Sequence, residues 1–422
     1  MRSPSTTMPQ SQERSISATS APMLSADGKR FTFIDALRGL AALGVAAYHI
    51  DRANYGPLPG AASPIIPAAL NTVLHHGWMG VQIFFVISGF VIAYALRGAR
   101  ITPTYYRNFA IARSLRLDPP YWFTIFFVIA LHALTNSLFS IGSPLMDDFP
   151  SAARFVSHFF YLQNVLGFDN ISVGFWTLCI EMQFYLLFAL LLGLAQSLAA
   201  RLIERRGVRP ETADRWSLAA LFAPVALASL FSFSLNPDNT IWVIHYFAFF
   251  ALGAVTWWTL EGRIPKAAFW AYFAAIVLRQ TLHWTDDMAV ALIAGTAIYT
   301  VGRLGHLHDW LSAGWLQRLG RISYSLYLIH YPVSWIVTTV GYQLTGDAAA
   351  PAAIWMLLGL AASIGAADVL NRMVEMPALR LSRRFKEFAA EGGLSWAALA
   401  LLRTVRGARP ARSKNVEPVA AR

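Results

Sequence analysis

A chain of 422 residues that is 56% hydrophobic and 14% charged is too apolar for a water-soluble enzyme, in which about a quarter of residues are charged. Its mean hydropathy of +0.46 fits a polytopic membrane protein. The net charge of +11 raises nucleic acid as a partner, but the cations are sorted by membrane side rather than gathered on one domain, so no nucleic acid is expected.

Residues 1–30 are polar and Ser/Thr-rich, with no apolar core ahead of a small-residue cleavage site; a disordered cytoplasmic head is expected, not a signal peptide. Ten apolar segments follow, at roughly 33–51, 76–96, 117–136, 174–198, 216–234, 241–260, 267–283, 288–302, 322–343 and 353–375. The fold class is therefore all-α, a bundle of about ten transmembrane helices filling one membrane domain, 31–380. Alternate loops hold Arg97, Arg100, Arg107, Arg113 and Arg116, then Arg201, Arg205, Arg206, Arg209 and Arg215, then Arg263, Lys266, Arg303, Arg318 and Arg321. The opposite loops carry Asp147, Asp148, Asp169, Asp238, Asp286, Asp287 and Asp347 with few cations. That asymmetry puts both termini in the cytoplasm of a multi-pass membrane protein. The longest outer loop, about 137–173, is expected to form a lid or a short interfacial helix. The tail, 381–422, is basic and cytoplasmic, and its apolar piece at 394–402 is too short to span.

The first segment carries Asp35, Arg38 and His49. At about 100° per residue, Arg38 and His49 fall within about 20° of one another and about 16 Å apart along the axis. Ionisable groups in lipid are costly and mark functional sites. Counting from the ends, His49 lies about 24 Å from the inner end of its helix and Glu181 about 10 Å from the outer end of the fourth, so the two reach similar depth. A His–carboxylate pair suits general base work, with Glu181 orienting the imidazole. The plain alternatives are a core histidine bonded to a backbone carbonyl and a buried acid bridging helices. Arg38 either snorkels in a local pair with Asp35 or joins Arg113 and Arg116, whose spacing puts them on one helical face, in holding phosphate oxygens.

Gly80, Ser88 and Gly89 of the second segment permit close helix approach, and Ser88 lies mid-membrane as a packing or substrate-bonding hydroxyl. Ser323, Tyr327 and His330 form a polar stripe on the ninth segment, read either as a wall of the donor path or as interhelical hydrogen bonding. His330, about 12 Å from its inner end, is expected nearer the cytoplasm than His49. Cys179 is expected to be buried and structural, and Arg372 with Glu375 to end the last helix. His75 and His76 are adjacent and share no helix face, so no metal site is expected.

These stretches together resemble the acyltransferase-3 family of integral membrane O-acyltransferases. The similarity rests on DALRGLAALGVAAYHI, with Arg38 and His49 ten residues apart in the intervening sequence, on GVQIFFVISGF, on FAIARSLRLDPPYW, on WTLCIEMQFY with Trp176 and Glu181, and on SYSLYLIHYP. It implies ten spanning helices and transfer of an acyl group, typically acetyl, from cytoplasmic acyl-CoA to a hydroxyl of a carbohydrate or glycolipid, such as a surface polysaccharide. Acyl-CoA would be a co-substrate, with no permanently bound cofactor, membrane lipid the surrounding partner, and the bacterial inner membrane the location. Arg38, Arg113 and Arg116 would hold the CoA phosphates, His49 with Glu181 would activate the acceptor, and Asp35, Ser88, Trp176, Ser323, Tyr327 and His330 would support them. The competing reading is a proton-coupled multi-span transporter, which also places ionisable groups in the membrane but lacks here the expected repeats.

Overall fold

The computed structural model describes residues 30–51, 58, 60–139 and 148–390; the expected head, the 394–402 segment and Asp147 lie outside the described residues. All ten predicted segments are helical. They correspond to α1 (Thr32–Asp51), α3 (Gly80–Ala95), α4 (Pro103–Phe139), α6 (Phe175–Arg206), α7 (Pro210–Phe231), α8 (Val243–Leu260), α9 (Lys266–Leu282), α10 (Asp286–Arg303), α11 (Gly314–Thr345) and α12 (Ala349–Leu370). Shorter helices lie outside that set: α2 (Ala68–His75), α5 (Ala152–Phe159) and α13 (Met376–Ala390). The architecture is an all-α polytopic bundle, with no strand among the described residues. Seven helices among the described residues are long and apolar enough to cross a membrane. Among the others, α9 and α11 depart from that criterion for physical reasons. The 17 residues of α9 fall short of the about 20 needed to span. In α11, a polar stripe lowers the apolarity, and it is turned inward: Ser323, Ser325, His330, Ser334 and Thr338 are all buried.

Of the boundaries that differ from the sequence expectation, three bear on the site. α4 begins at Pro103, so the basic stretch read as a loop is helical and Arg113 and Arg116 sit within a rod about 55 Å long. This rod continues through Pro119 and Pro120, where Tyr324 donates to the Leu117 carbonyl at 2.8 Å. α11 begins at Gly314, a full two turns before residue 322. Finally, Arg372 and Glu375 do not end the last helix. A π-helical turn, Asn371–Glu375, carries the chain into α13, past the expected boundary at 380. Glu375 is buried there and accepts from Ser325 at 2.6 Å and Asn371 at 2.8 Å, while Arg372 pairs with Asp368 at 2.6 Å. Ser382 then ties α13 to α4, donating to the Ala112 carbonyl at 2.6 Å.

Glycines decide how closely the central helices approach. α1 and α11 run parallel with Gly39 against Gly320: a Cβ on Gly39 would lie 2.7 Å from the Gly320 nitrogen, and one on Gly320 would collide with the Asp35 carbonyl. Gly89 of α3 and Gly253 of α8 interlock in the same way, each lying on the other helix's backbone. Around this crossing Phe184 and Phe250 stack at 3.9 Å. The outer loop does hold a short helix, α5, capped by Ser151, whose Oγ accepts from Arg154 N at 3.2 Å. Arg154 in turn binds the carbonyls of Asp169 and Asn170, and Tyr161 reaches into the bundle to donate to Asp118 at 2.8 Å.

Candidate active site

The parallel register of α1 and α11 sets the first part of the site. From Gly39 to His49 and from Gly320 to His330 the two helices advance equally, so the histidines meet side by side. His330 Nε2 lies 3.2 Å from His49 Nδ1. His330 is thus at the depth of His49, not nearer the basic end as predicted; the early start of α11 accounts for the error, because the end counted from was two turns too late.

The surrounding acceptors determine the tautomers of two neutral rings. His330 Nδ1 faces the Leu326 carbonyl at 3.0 Å, which can only accept, so this nitrogen carries the proton and Nε2 is an acceptor. His49 Nδ1 faces two acceptors, the Val45 carbonyl at 2.9 Å and His330 Nε2, and therefore carries its proton too. His49 Nε2 is left with its lone pair free of any partner among the described residues. His330 is buried and His49 half-buried, which leaves the free nitrogen of His49 as the accessible base.

Glu181 belongs elsewhere, and the expected His49–Glu181 pair is not formed: no hydrogen bond or ion pair joins them. Glu181 Oε1 accepts from Ser88 at 2.9 Å and from Tyr185, one turn further along α6. The Tyr185 ring lies under the Arg113 guanidinium at 4.5 Å. The depth count fails as well: Thr177, four residues nearer the outer end of α6 than Glu181, bonds Tyr327, three residues inward of His330, so Glu181 lies about 10 Å nearer the basic end than the histidines. The same geometry gives Ser88 the carboxylate neighbour that sequence spacing does not provide.

Glu181, Ser88 and Arg113 line a cavity of about 300 Å³ that opens at the basic end of the bundle. Its lining gathers Arg38, Arg113 and Arg116, the three cations read as anion anchors, from two helices distant in sequence. Arg38 does not pair with Asp35. Buried Asp35 pairs instead with Arg30 at 3.1 Å, a structural role, and no ion pair to Arg38 occurs among the described residues. Two further cations at the cavity, Arg383 and Lys386 of α13, were missed: in sequence they read as tail charge, and only the continued helix brings them back. Ser323 and Tyr327 also line the cavity. Tyr327 and Thr177 hydrogen-bond at 2.8 Å across α11 and α6, and the Tyr327 ring lies 6.1 Å from that of His330. Neither histidine is part of the cavity lining. Trp176 also stands outside, packed on Tyr246 at 5.5 Å and Phe85 at 6.5 Å. Cys179 is buried, with its thiol 3.6 Å from the Phe175 carbonyl.

Chemically, the arrangement offers a cationic cavity for an anionic ligand and, one side-chain layer beyond it, an imidazole nitrogen poised to accept a proton. No solved structure matches the chain. Among curated proteins it is similar to the acyltransferase MdmB of Streptomyces mycarofaciens, 26% identical over 85% of this chain and 94% of that protein. It is similar to the O-acetyltransferase OatA of Staphylococcus aureus, 25% identical over 84% of this chain, and to the putative peptidoglycan O-acetyltransferase YrhL of Bacillus subtilis, 24% identical over 73%. The aligned parts cover 58% of OatA and 49% of YrhL, so against these two the chain spans about half the length of its relatives. The family model described as "Acyltransferase domain" matches residues 31–372, nearly the whole membrane portion, and the chain belongs to that family of membrane acyltransferases, acyltransferase-3.

Proposed function

We propose that this protein transfers an acyl group, acetyl in the simplest case, from cytoplasmic acyl-CoA to a hydroxyl of a carbohydrate or glycolipid acceptor. The observation that carries the reading is the cavity lined by five cations and a single carboxylate, Glu181, which ends beside the His49–His330 pair. Guanidinium forks match phosphate oxygens, and CoA is a polyanion at one end and a thioester at the other. The axial distance from Arg38 to His49, about 16 Å at 1.5 Å per residue, suits an extended pantetheine arm. The O-acetyltransferase relatives support the hydroxyl acceptor.

In this reading Arg38, Arg113 and Arg116 bind the donor's phosphates. Tyr327 lines the cavity and its ring lies 6.1 Å from that of His330, so the thioester passes Tyr327 on its way to His49. His49 Nε2 accepts the proton of the acceptor hydroxyl as its oxygen attacks the thioester carbon. The C–S bond breaks, the new ester carries the acyl group, and the proton passes from His49 to the departing thiolate, giving CoA-SH. His330 is a positioning residue: it accepts from His49 Nδ1–H and holds the proton-accepting nitrogen toward substrate, as a carboxylate does in a catalytic triad.

The test is incubation of the purified full chain with radiolabelled acetyl-CoA and a hydroxylated glycan acceptor. Labelled acceptor or CoA release by the native protein, abolished in His49→Ala with membrane expression unchanged, is the expected result. Transfer undiminished in that variant would remove His49 from the chemistry.

A further inference from the structure

The cavity is graded in both depth and charge. Arg113 is buried, 8% exposed, at its inner part; Arg38 and Arg116 are half-buried; Arg383 and Lys386 are exposed at its mouth. The last two lie on α13, beyond residue 372 where the family match ends. They are not loosely tethered tail charges. Ser382, next to Arg383, is buried and bonded to the Ala112 carbonyl, immediately before Arg113. The π-helical turn ahead of α13 is held by Glu375 through Ser325 and Asn371. α13 is thereby anchored to α4 and α11, with Leu379, Ser382, Arg383 and Lys386 on the face that meets the cavity. Neither Arg383 nor Lys386 makes an ion pair among the described residues, and Lys386 lies within electrostatic reach of Arg113, Arg116 and Arg383. Cations gathered in excess of the one carboxylate, Glu181, repel each other, and an anion at that spot relieves the repulsion.

Charge matching then divides the ligand. A diphosphate carries about two negative charges, and the three deeper guanidiniums, offset by Glu181, leave about two positive ones. A terminal phosphomonoester adds about 1.5–2 negative charges more, which equals what the two mouth cations offer. In coenzyme A the 3′-phosphate on the ribose is the group farthest from the thioester. With the thioester directed at His49, that phosphate comes to the mouth.

We propose that Arg383 and Lys386 form a phosphomonoester subsite for the 3′-phosphate of the acyl-CoA donor, so that the protein selects 3′-phosphorylated CoA over its dephospho form. This rests on the acyl-CoA reading above. The same chemistry could be supplied by an anionic lipid headgroup, and the experiment separates the two.

Full-length protein in zwitterionic lipid nanodiscs is titrated calorimetrically with CoA and with 3′-dephospho-CoA. The native protein is expected to bind CoA on the order of tenfold more tightly, a preference that R383Q/K386Q loses by falling to the dephospho-CoA affinity. Dephospho-CoA binding by the same variant reports that the rest of the cavity is intact. A preference that survives in R383Q/K386Q overturns the subsite, as does equal binding of the two ligands by the native protein; in both cases the donor reading stands. If native protein binds neither ligand, the donor reading itself falls and the subsite with it. If the native protein shows no preference and anionic phosphatidylglycerol is retained on the protein only when Arg383 and Lys386 are present, the site is a lipid site and the proposal is wrong.

Discussion

Gly39 and Gly320 bring the backbones of two parallel helices into contact, and the equal advance from them to His49 and His330 places Nδ1 of one imidazole 3.2 Å from Nε2 of the other. The base of the site is therefore aligned by a packing contact about 15 Å away along the helix axes. An imidazole stands beside His49 where a carboxylate was expected.

If His330 acts by accepting from His49, the substitution that keeps an acceptor at its place should be the milder one. His330→Gln can present an oxygen near the position of Nε2, whereas His330→Ala cannot. The alanine variant is expected to lose about 10²-fold or more in kcat with KM for acyl-CoA little changed, and the glutamine variant to recover a substantial part. Steady-state kinetics with pH profiles checks this; equal losses in both variants would make His330 a packing residue only.

The contact between glycines makes its own demand. Gly320→Val would drive its Cβ into the Asp35 carbonyl and force α1 from α11. Overpacking of this kind costs about 1–3 kcal/mol, and here it also separates the histidines. Thermal unfolding in detergent should show the lower stability, and transfer should fall further than stability alone explains. A variant with native transfer rates would show that the register is not set there.

Glu181 has a different expected signature from that of a base's partner. Glu181→Gln keeps an oxygen to accept from Ser88 and Tyr185 but removes the one negative charge from the cationic cavity. KM for acyl-CoA should shift by a few-fold while the pH dependence of kcat/KM stays in place. A displaced pH profile would instead restore the direct His49–Glu181 coupling that the geometry denies.

Acid should loosen the outer loop through His158, which lies on α5 outside the spanning helices. Its Nδ1 donates to the Arg154 carbonyl at 2.7 Å, and its Nε2 accepts from Ile171 N–H at 3.1 Å. Burial is the main cause that lowers its pKa from 6.5 to about 4. Because the folded value is depressed, the neutral ring's contribution is complete above about pH 6.5 and is lost as pH falls from there toward 4. Hydrogen exchange of the 152–171 segment should accelerate across that window in the native protein. His158→Gln, which cannot take up a proton there, should flatten the response; an unchanged acid response would place its origin elsewhere.

Composition and spacing alone determined that this is an all-α membrane protein, where its ten main helices lie, and which residue types are too costly in lipid to be incidental. Apolar length and charge asymmetry are local properties, readable along the chain, and Arg38, Arg113 and Arg116 stood out by the same logic. Tertiary structure alone decided who meets whom. Depth counts assigned Glu181 to His49, but a count from helix ends fixes neither how far one helix is slid along another nor which face it turns; packing contacts such as those between glycines decide both. The extra turns of α4 and α11, and the passage through the π-helical turn into α13, were hidden for a related reason. Basic and polar residues at a membrane surface read as loop, although a helix satisfies their backbone equally well once neighbouring helices cover it, and that is how Arg383 and Lys386 return to the cavity.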